Sequence, residues 1–532
     1  MAGKPRLTRG VQDKPLLLAG IVGTSAAPVV AMGKGAVPGM LSLLGAEMTD
    51  PLAWPELSRA NTVFSSRRRA ADYRTEGNGI ARRLEAAGEF PGLYSNIRDA
   101  AVTIRNCRDV VLENVHFQDC WPTAILIEHC QRIVIRNCSF AGGTFAIVAR
   151  GASTRDLVIE NCFWQQDDEN APRRIWEEKA GTNSEPIWNK IHWQRIHGDR
   201  KDFNYAVDVK HDWRLYDGDF LRTFGIAGNV VVRRCLIRNA FNAIHTFGTE
   251  TGMLSVPCRN LLVEDNQFVR IRDNTIEPES GAANWVVRHN RFIDNFRPFS
   301  VEGQDTGFLY VYGNDGWNIV APGPGDADRN TGASLFKFTS QTRSDGPFAF
   351  FHNSFLLLRD IAKKHGISGL AVANNAIASR AKNSIFGKLW NAPLADSGED
   401  ERFTRRWREL GIDFRGNVVH APGIANDHGL PHYPDMLRIA GYPLANSERG
   451  YDPRFAARAD EHGQGAIDLR PAEGSPLRGA SLPFELRLPD GDCVSVAGGR
   501  HVGAWQEGGR FRLDGELPFL DGMFGNVAAL TS

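Results

Sequence analysis

The sequence lacks a net charge: 62 basic and 62 acidic side chains cancel over 532 residues. Nucleic-acid-binding domains carry a basic excess that displaces counterions from phosphate, so this balance argues against a nucleic-acid partner. Cysteine is scarce. Eight in a chain of this length cannot form the disulfide framework of a small secreted scaffold, and no CxxC pair offers a zinc site. Helical periodicity is also largely missing: 54 glycines, 27 prolines and 12 tryptophans describe a turn-rich, aromatic-rich chain, unlike a helical bundle. A stable membrane span is not expected, because the uncharged run 15–33 is broken by Pro28 and several glycines. That run follows Lys4, Arg6, Arg9 and Lys14 and contains Val29-Val-Ala31, a small-residue pattern like a cleavage site. Residues 1–47 therefore read as a leader or signal-like segment, exported or simply disordered, and a secreted or periplasmic location is expected.

What the chain does have is hydrophobic content, 42%, enough for a large folded core, and a repeat. Val110-Val-Leu112-Glu-Asn114-Val-His-Phe117 returns as Ile133-Val-Ile135-Arg-Asn137-Cys-Ser-Phe140 and again as Leu157-Val-Ile159-Glu-Asn161-Cys-Phe-Trp164. Further copies start at Val230, Leu261, Trp285, Phe348 and Leu370. The template alternates apolar residues, places a polar residue (often Asn) after them, and returns to an apolar one three places on. Alternation over so few residues is a short strand with one face buried, and the polar residue suits a bend. One such unit cannot bury its inner face alone, so copies must stack. Cys107 and Cys130 are 23 residues apart and Cys138 and Cys162 are 24 apart, so these thiols follow the repeat and are expected to stack inside the core as small hydrophobes. The LxxLxLxxN signature of leucine-rich repeats is absent.

A repeat of this length and pattern, together with Gly474-Ser-Pro-Leu-Arg-Gly479 and Val502-Gly-Ala-Trp-Gln506 in the tail, resembles the right-handed parallel β-helix proteins of the pectate-lyase-like superfamily. The likeness covers roughly residues 95–425. It implies an all-β solenoid of about ten coils, with residues 48–94 as an N-terminal helical cap and 426–532 as a C-terminal tail packed on it. Helices are expected over 66–87, 399–410 and 433–441. The superfamily is dominated by polysaccharide lyases, glycoside hydrolases and uronate epimerases. Fold alone does not choose among them.

Equivalent outward positions on successive coils lie about 4.8 Å apart, the spacing of any sheet. Ile244-His245-Thr-Phe247, Ile276-Glu277-Pro-Glu279, Phe299-Ser300-Val-Glu302 and Phe336-Lys337-Phe-Thr339 align with the apolar member inward. One outward column then holds His245, Glu277, Ser300 and Lys337; a second holds Phe247, Glu279, Glu302 and Thr339. The preceding turn of chain is expected to add Asp208, Lys210, His211 and Asp212. Polysaccharide lyases need a cation to neutralise a uronate carboxylate, a base for the C5 proton and an acid for the leaving oxygen. Glu277, Glu279 and Glu302 would offer hard oxygens to Ca²⁺. Lys337, His245, Lys210 and His211 are the candidates for proton transfer. Paired carboxylates could also serve hydrolysis, and a charged face whose ladders merely stabilise the stack is the plain alternative. The insertion 165–204 interleaves Trp176, Trp188 and Trp193 with polar groups and Arg200, a pattern that suits a sugar-binding wall or a packed lid. Asp326-Ala-Asp328-Arg-Asn330-Thr-Gly332 imitates half a calcium loop but reads as a connector. The expected partner is a polysaccharide or oligosaccharide. The leading expectation is a lyase acting by β-elimination, with a non-catalytic glycan-binding protein, a hydrolase or an epimerase as the alternatives.

Overall fold

Apart from isolated positions, the computed structural model describes residues 10–32, 62–65, 100–166, 188, 217–248, 258–279, 282–301, 306–318, 334–338, 347–357, 362–363, 369–379, 413–420, 452–458 and 465–523. Among these, short strands assemble into three sheets of 12, 10 and 11 members, and until the last coil each strand pairs in parallel with the strand three places later in the chain. The chain therefore visits the three sheets in turn, one strand in each per coil. This is a right-handed parallel β-helix, the hand that parallel crossovers adopt.

The repeat explains the winding. Val110, Ile133, Leu157, Val230, Leu261, Trp285, Leu309, Phe348 and Leu370 stand in one continuous register in the eleven-stranded sheet, and all are buried. Eight of these are the expected copies. The ninth, at Leu309, escapes the template because Gly316 stands where the others carry an apolar side chain. A Cβ there would meet Phe355 Cε1 at 2.8 Å, so a neighbouring ring already fills the place.

The polar residue after each strand makes the bend. Asn114, Asn137, Asn161, Arg234, Asp265, His289, His352 and Asn374 all have φ between 49° and 60°, the left-handed region that Asn and Asp tolerate better than most residues. The next residue faces inward and changes character along the solenoid. Cys138, Cys162 and Cys235 stack first; Asn266, Asn290, Asn314, Asn353, Asn375 and Asn417 follow. Each asparagine from 266 to 375 donates its Nδ2 to the Oδ1 of the next, at 2.9, 3.0, 2.9, 3.0 and 2.8 Å, and also to a strand carbonyl such as Val287 O. Buried amides persist only when paired in this way. The seven cysteines of the repeat region are buried and free; Cys493 is exposed.

Two expectations on organisation change. Within 1–47, strands Gly10–Gln12, Leu16–Ala19 and Val29–Met32 pair with later coils as the terminal strand of each sheet. The apolar run 15–33 thus supplies a rung, because its short alternation buries Leu18 and Ala31 on the inner face. Within the expected cap, Thr62–Ser65 is a strand of the twelve-stranded sheet. The helices expected over 66–87, 399–410 and 433–441 lie outside the described residues, as does the connector 326–332. In the tail, Phe484, Leu486, Val496, Phe511 and Leu520 pack on Tyr310, Tyr312 and Phe351 of the eleven-stranded sheet, while Leu477 and Val502 pack on Leu356, Ala376 and Val418. No helix among the described residues is long and apolar enough to cross a membrane.

Candidate functional site

The ten-stranded sheet carries the ionisable column on its outer face. Register pairs His245 with Glu277 and Ser300 with Lys337, and Ile276 with Phe299, so that Glu277 precedes Ser300. The alternation that turns Ile244, Ile276, Phe299 and Phe336 into the core turns these four side chains out.

The rung before His245 departs from expectation. Leu221 pairs with Ile244 and Arg222 with His245, so Arg222 takes the place assigned to 208–212. Asp208, Lys210, His211 and Asp212 themselves lie outside the described residues. Sequence reasoning passed over Arg222 because the long insertion hid which segment re-entered the sheet. A signal was present: Asp219-Phe-Leu-Arg222, Asn242-Ala-Ile-His245 and Asn274-Thr-Ile-Glu277 share one pattern, a short polar residue three places before the outward one. On two of these rungs that residue clamps its partner. Asp219 Oδ2 accepts from Arg222 Nε in a pair with no exposure on either side, and Asn274 Nδ2 donates to Glu277 Oε1 at 2.6 Å.

His245 stands between the clamped groups. Its Nδ1 lies 3.4 Å from Asp219 Oδ1 and 3.2 Å from Glu277 Oε2, and its Nε2 lies 3.4 Å from Glu279 Oε2. These are ion-pair contacts without hydrogen-bond alignment; neither ring nitrogen, nor Asp219 Oδ1, has an aligned partner among the described residues. Catalytic contacts are often loose in this way before substrate binds. Ser300 Oγ is 3.4 Å from Glu277 Oε1. The Phe247 ring stacks on His245 at 4.5 Å and on Phe224 at 5.4 Å, and the Arg222 guanidinium lies 4.9 Å from its centroid. The cluster opens toward solvent at Glu279, whose side chain is 37% exposed against 8% for His245.

The electrostatics follow from the packing. Burial and the Arg222 charge press the His245 pKa down, but Glu277, Asp219 and Glu279 outweigh them and lift it to about 10. Burial acts to raise the Glu279 pKa, yet contact with His245 and the charges of Lys337 and Arg222 hold it below the usual carboxylate range. At neutral pH His245 is a cation. In that state the ring is suited to giving a proton rather than taking one.

The expected metal set fares differently. Ligand atoms of His245, Glu277 and Glu279 lie within 4.8 Å of one another, but Ca²⁺ calls for six to eight oxygens. Between the two carboxylates stands a nitrogen ring held as a cation, and Glu302 lies outside the described residues. Among the described residues the cluster thus offers two carboxylates and a nitrogen ring, a poor match to the all-oxygen shell that Ca²⁺ takes.

The sugar-wall expectation is also revised. Trp188 is 1% exposed and packs on Phe296, so it belongs to a covered interior; Trp164, at the edge of the insertion, is fully buried with Nε1 donating to Gly142 O at 3.2 Å. Trp176, Trp193, Arg200, Glu302 and Thr339 lie outside the described residues.

No protein-family model matches the sequence, and no curated protein matches it. Among solved structures, a mannuronic acid specific polysaccharide family 6 lyase from human gut microbiota is similar over 77% of this chain and 80% of its own, with 12% identity and a TM-score of 0.38. A polygalacturonase from Erwinia carotovora is similar over 54% of this chain and 69% of its own, at 8% identity and a TM-score of 0.26. A lacto-N-biosidase from Eubacterium ramulus is similar over 70% and 57%, at 10% identity and a TM-score of 0.25.

Proposed function

We propose that this chain cleaves an acidic, uronate-containing polysaccharide by β-elimination at the cluster around His245. The observation that carries the reading is the imidazole enclosed by Asp219, Glu277 and Glu279 on the outer face of the solenoid, with the charge of Lys337 acting on Glu279. Elimination divides its work between a base at C5 and an acid at the leaving oxygen. Lys337, in its neutral amine form, is the base in this reading, and the protonated Nε2 of His245, on the open side, is the acid. The His245 imidazolium, together with the ammonium that Lys337 becomes as it takes the proton, opposes the charge that builds on the uronate carboxylate. Such a substrate goes with an exported protein.

Hydrolysis by Glu277 and Glu279 is less well served. A glycosidase pair flanks the scissile bond, whereas here a protein ring fills the space between the two carboxylates.

Elimination leaves an unsaturated uronate that absorbs in the ultraviolet. Incubation with alginate, pectate and glycosaminoglycans should raise that absorbance on one of them, and Lys337→Ala and Glu277→Gln should each slow it by about 10²-fold or more. Reducing ends without absorbance would point to hydrolysis. Binding without product would mark a glycan-binding protein, and either result overturns the proposal.

A further inference from the structure

Asp219 is a fully buried carboxylate that the reaction outlined above does not use. One oxygen accepts from the equally buried Arg222, so the group is anchored and cannot swing. The other oxygen, Oδ1, faces His245 Nδ1 at 3.4 Å. Arg222 is itself held on its flanks by the rings of Phe145 and Phe247, at 5.5 and 4.9 Å. The anchor thus rests on the rung before His245, and the carboxylate reaches across one strand spacing to the ring. Glu277 also approaches Nδ1, at 3.2 Å, but from the rung after and from the substrate-facing column.

We propose that Asp219 is the positioning residue for His245: it fixes Nδ1 as the inward, proton-bearing nitrogen and turns Nε2 toward Glu279 and the open side. The inference rests on the proton-transfer reading of His245 but not on the identity of the polymer. Three features set Asp219 apart from an ordinary buried acid. It is shared between a permanent cation and the imidazole. It lies on the face of the ring opposite the solvent-facing Glu279. Its length leaves no route to a substrate, since its side chain has no exposure. The charged groups around the ring are Arg222 and Asp219 on the preceding rung, Glu277 and Glu279 on the following one, and Lys337 two rungs beyond that; Asp219 and Glu277 both contact Nδ1, and of the two Asp219 is the one with no exposure and with an anchoring cation of its own.

Asp219→Asn tests the inference, because the amide keeps the shape and the chemistry inverts. Arg222 offers only donors, so the amide oxygen must turn to it and the amide NH₂ must then face Nδ1. Two donors cannot share that contact, and Nδ1 becomes an acceptor. In protein labelled with ¹⁵N-histidine, with the His245 signal assigned by His245→Gln, the wild type should show both ring nitrogens protonated at pH 8. Asp219→Asn should show a neutral ring with bare Nδ1, and its elimination rate should fall by about 10²-fold with KM changed less than kcat. Glu277→Gln should keep Nδ1 protonated, since Asp219 remains. An unchanged ring signal in Asp219→Asn, or loss of the Nδ1 proton in Glu277→Gln alone, overturns the inference. Should Asp219→Asn not fold, the Glu277→Gln spectrum still decides it. The expected spectra with no elimination product on any polymer would instead remove the lyase reading and leave the positioning role standing.

Discussion

At the scale of single residues, the site is a cation set among carboxylates, and its pH dependence has a defined sign. The folded pKa of His245, about 10, lies above the value of about 6.5 expected in the unfolded chain. Its contacts therefore stabilise the fold fully below pH 6.5, and that contribution drains away as pH rises through about 10. The gap in unfolding free energy between wild type and His245→Gln should shrink over this window; a gap that widens with pH would contradict the assignment. In the proposed reaction the same proton serves as the acid, so elimination should show an alkaline limb near pH 10, measured as kcat against pH. The outward column from His245 to Lys337 was legible in sequence because alternation alone decides which side chains leave the core. Arg222 and Asp219 were not legible, since a long insertion concealed the rung that carries them. Trp188 misled for a related reason: aromatics interleaved with polar residues signal an amphipathic segment but not which face is covered.

At the scale of elements, two stacks hold the rungs together with unequal strength. Asn314 donates to Val287 O and Asn353 Oδ1 and accepts from Asn290 Nδ2 and the Asn290 amide. Asn314→Ala strands several buried polar groups, each costing roughly 1–3 kcal/mol, whereas Cys162→Ala removes a small hydrophobe for about 1 kcal/mol. Chemical denaturation of the two variants should show that order. The C-terminal segment is the second element with a clear signature. His352 is fully buried, stacked on Phe511 at 3.9 Å, and burial lowers its pKa to about 3; burial lowers His289, whose Nε2 lies 2.9 Å from Phe511 O, to about 3 as well. The unfolded chain takes up these protons first, so stability should fall as pH drops from about 6.5 toward 3. Melting temperature against pH should show a drop that His352→Asn reduces. Nothing in the repeat announced the tail that covers these two bend histidines. The asparagine ladder was equally silent, because the template recorded only the bend residue and not its inward neighbour.

At the scale of the whole molecule, chemistry depends on stacking that lies outside the site. Gly228 has φ of 110°, and a Cβ there would lie 1.8 Å from Arg259 O on the next rung. Gly228→Ala should force adjacent coils apart, destabilise by more than about 4 kcal/mol and abolish activity without touching any group of the cluster; a folded, active variant would show the rungs to be independent. The solenoid itself was readable because its signal repeats eight times, and periodic burial survives long insertions between copies. Where a coil broke the pattern, as at Gly316, or belonged to a stretch that resembled a leader, as at 16–32, the reading failed locally while the register did not. The central claim is that winding brings residues 32 positions apart into one proton-transfer unit. A double-mutant cycle on the elimination rate, using His245→Gln, Glu277→Gln and both together, tests it most directly. The double variant should be little slower than the slower single one, because each change alone disables the unit. Losses that simply multiply would show that the two side chains act apart.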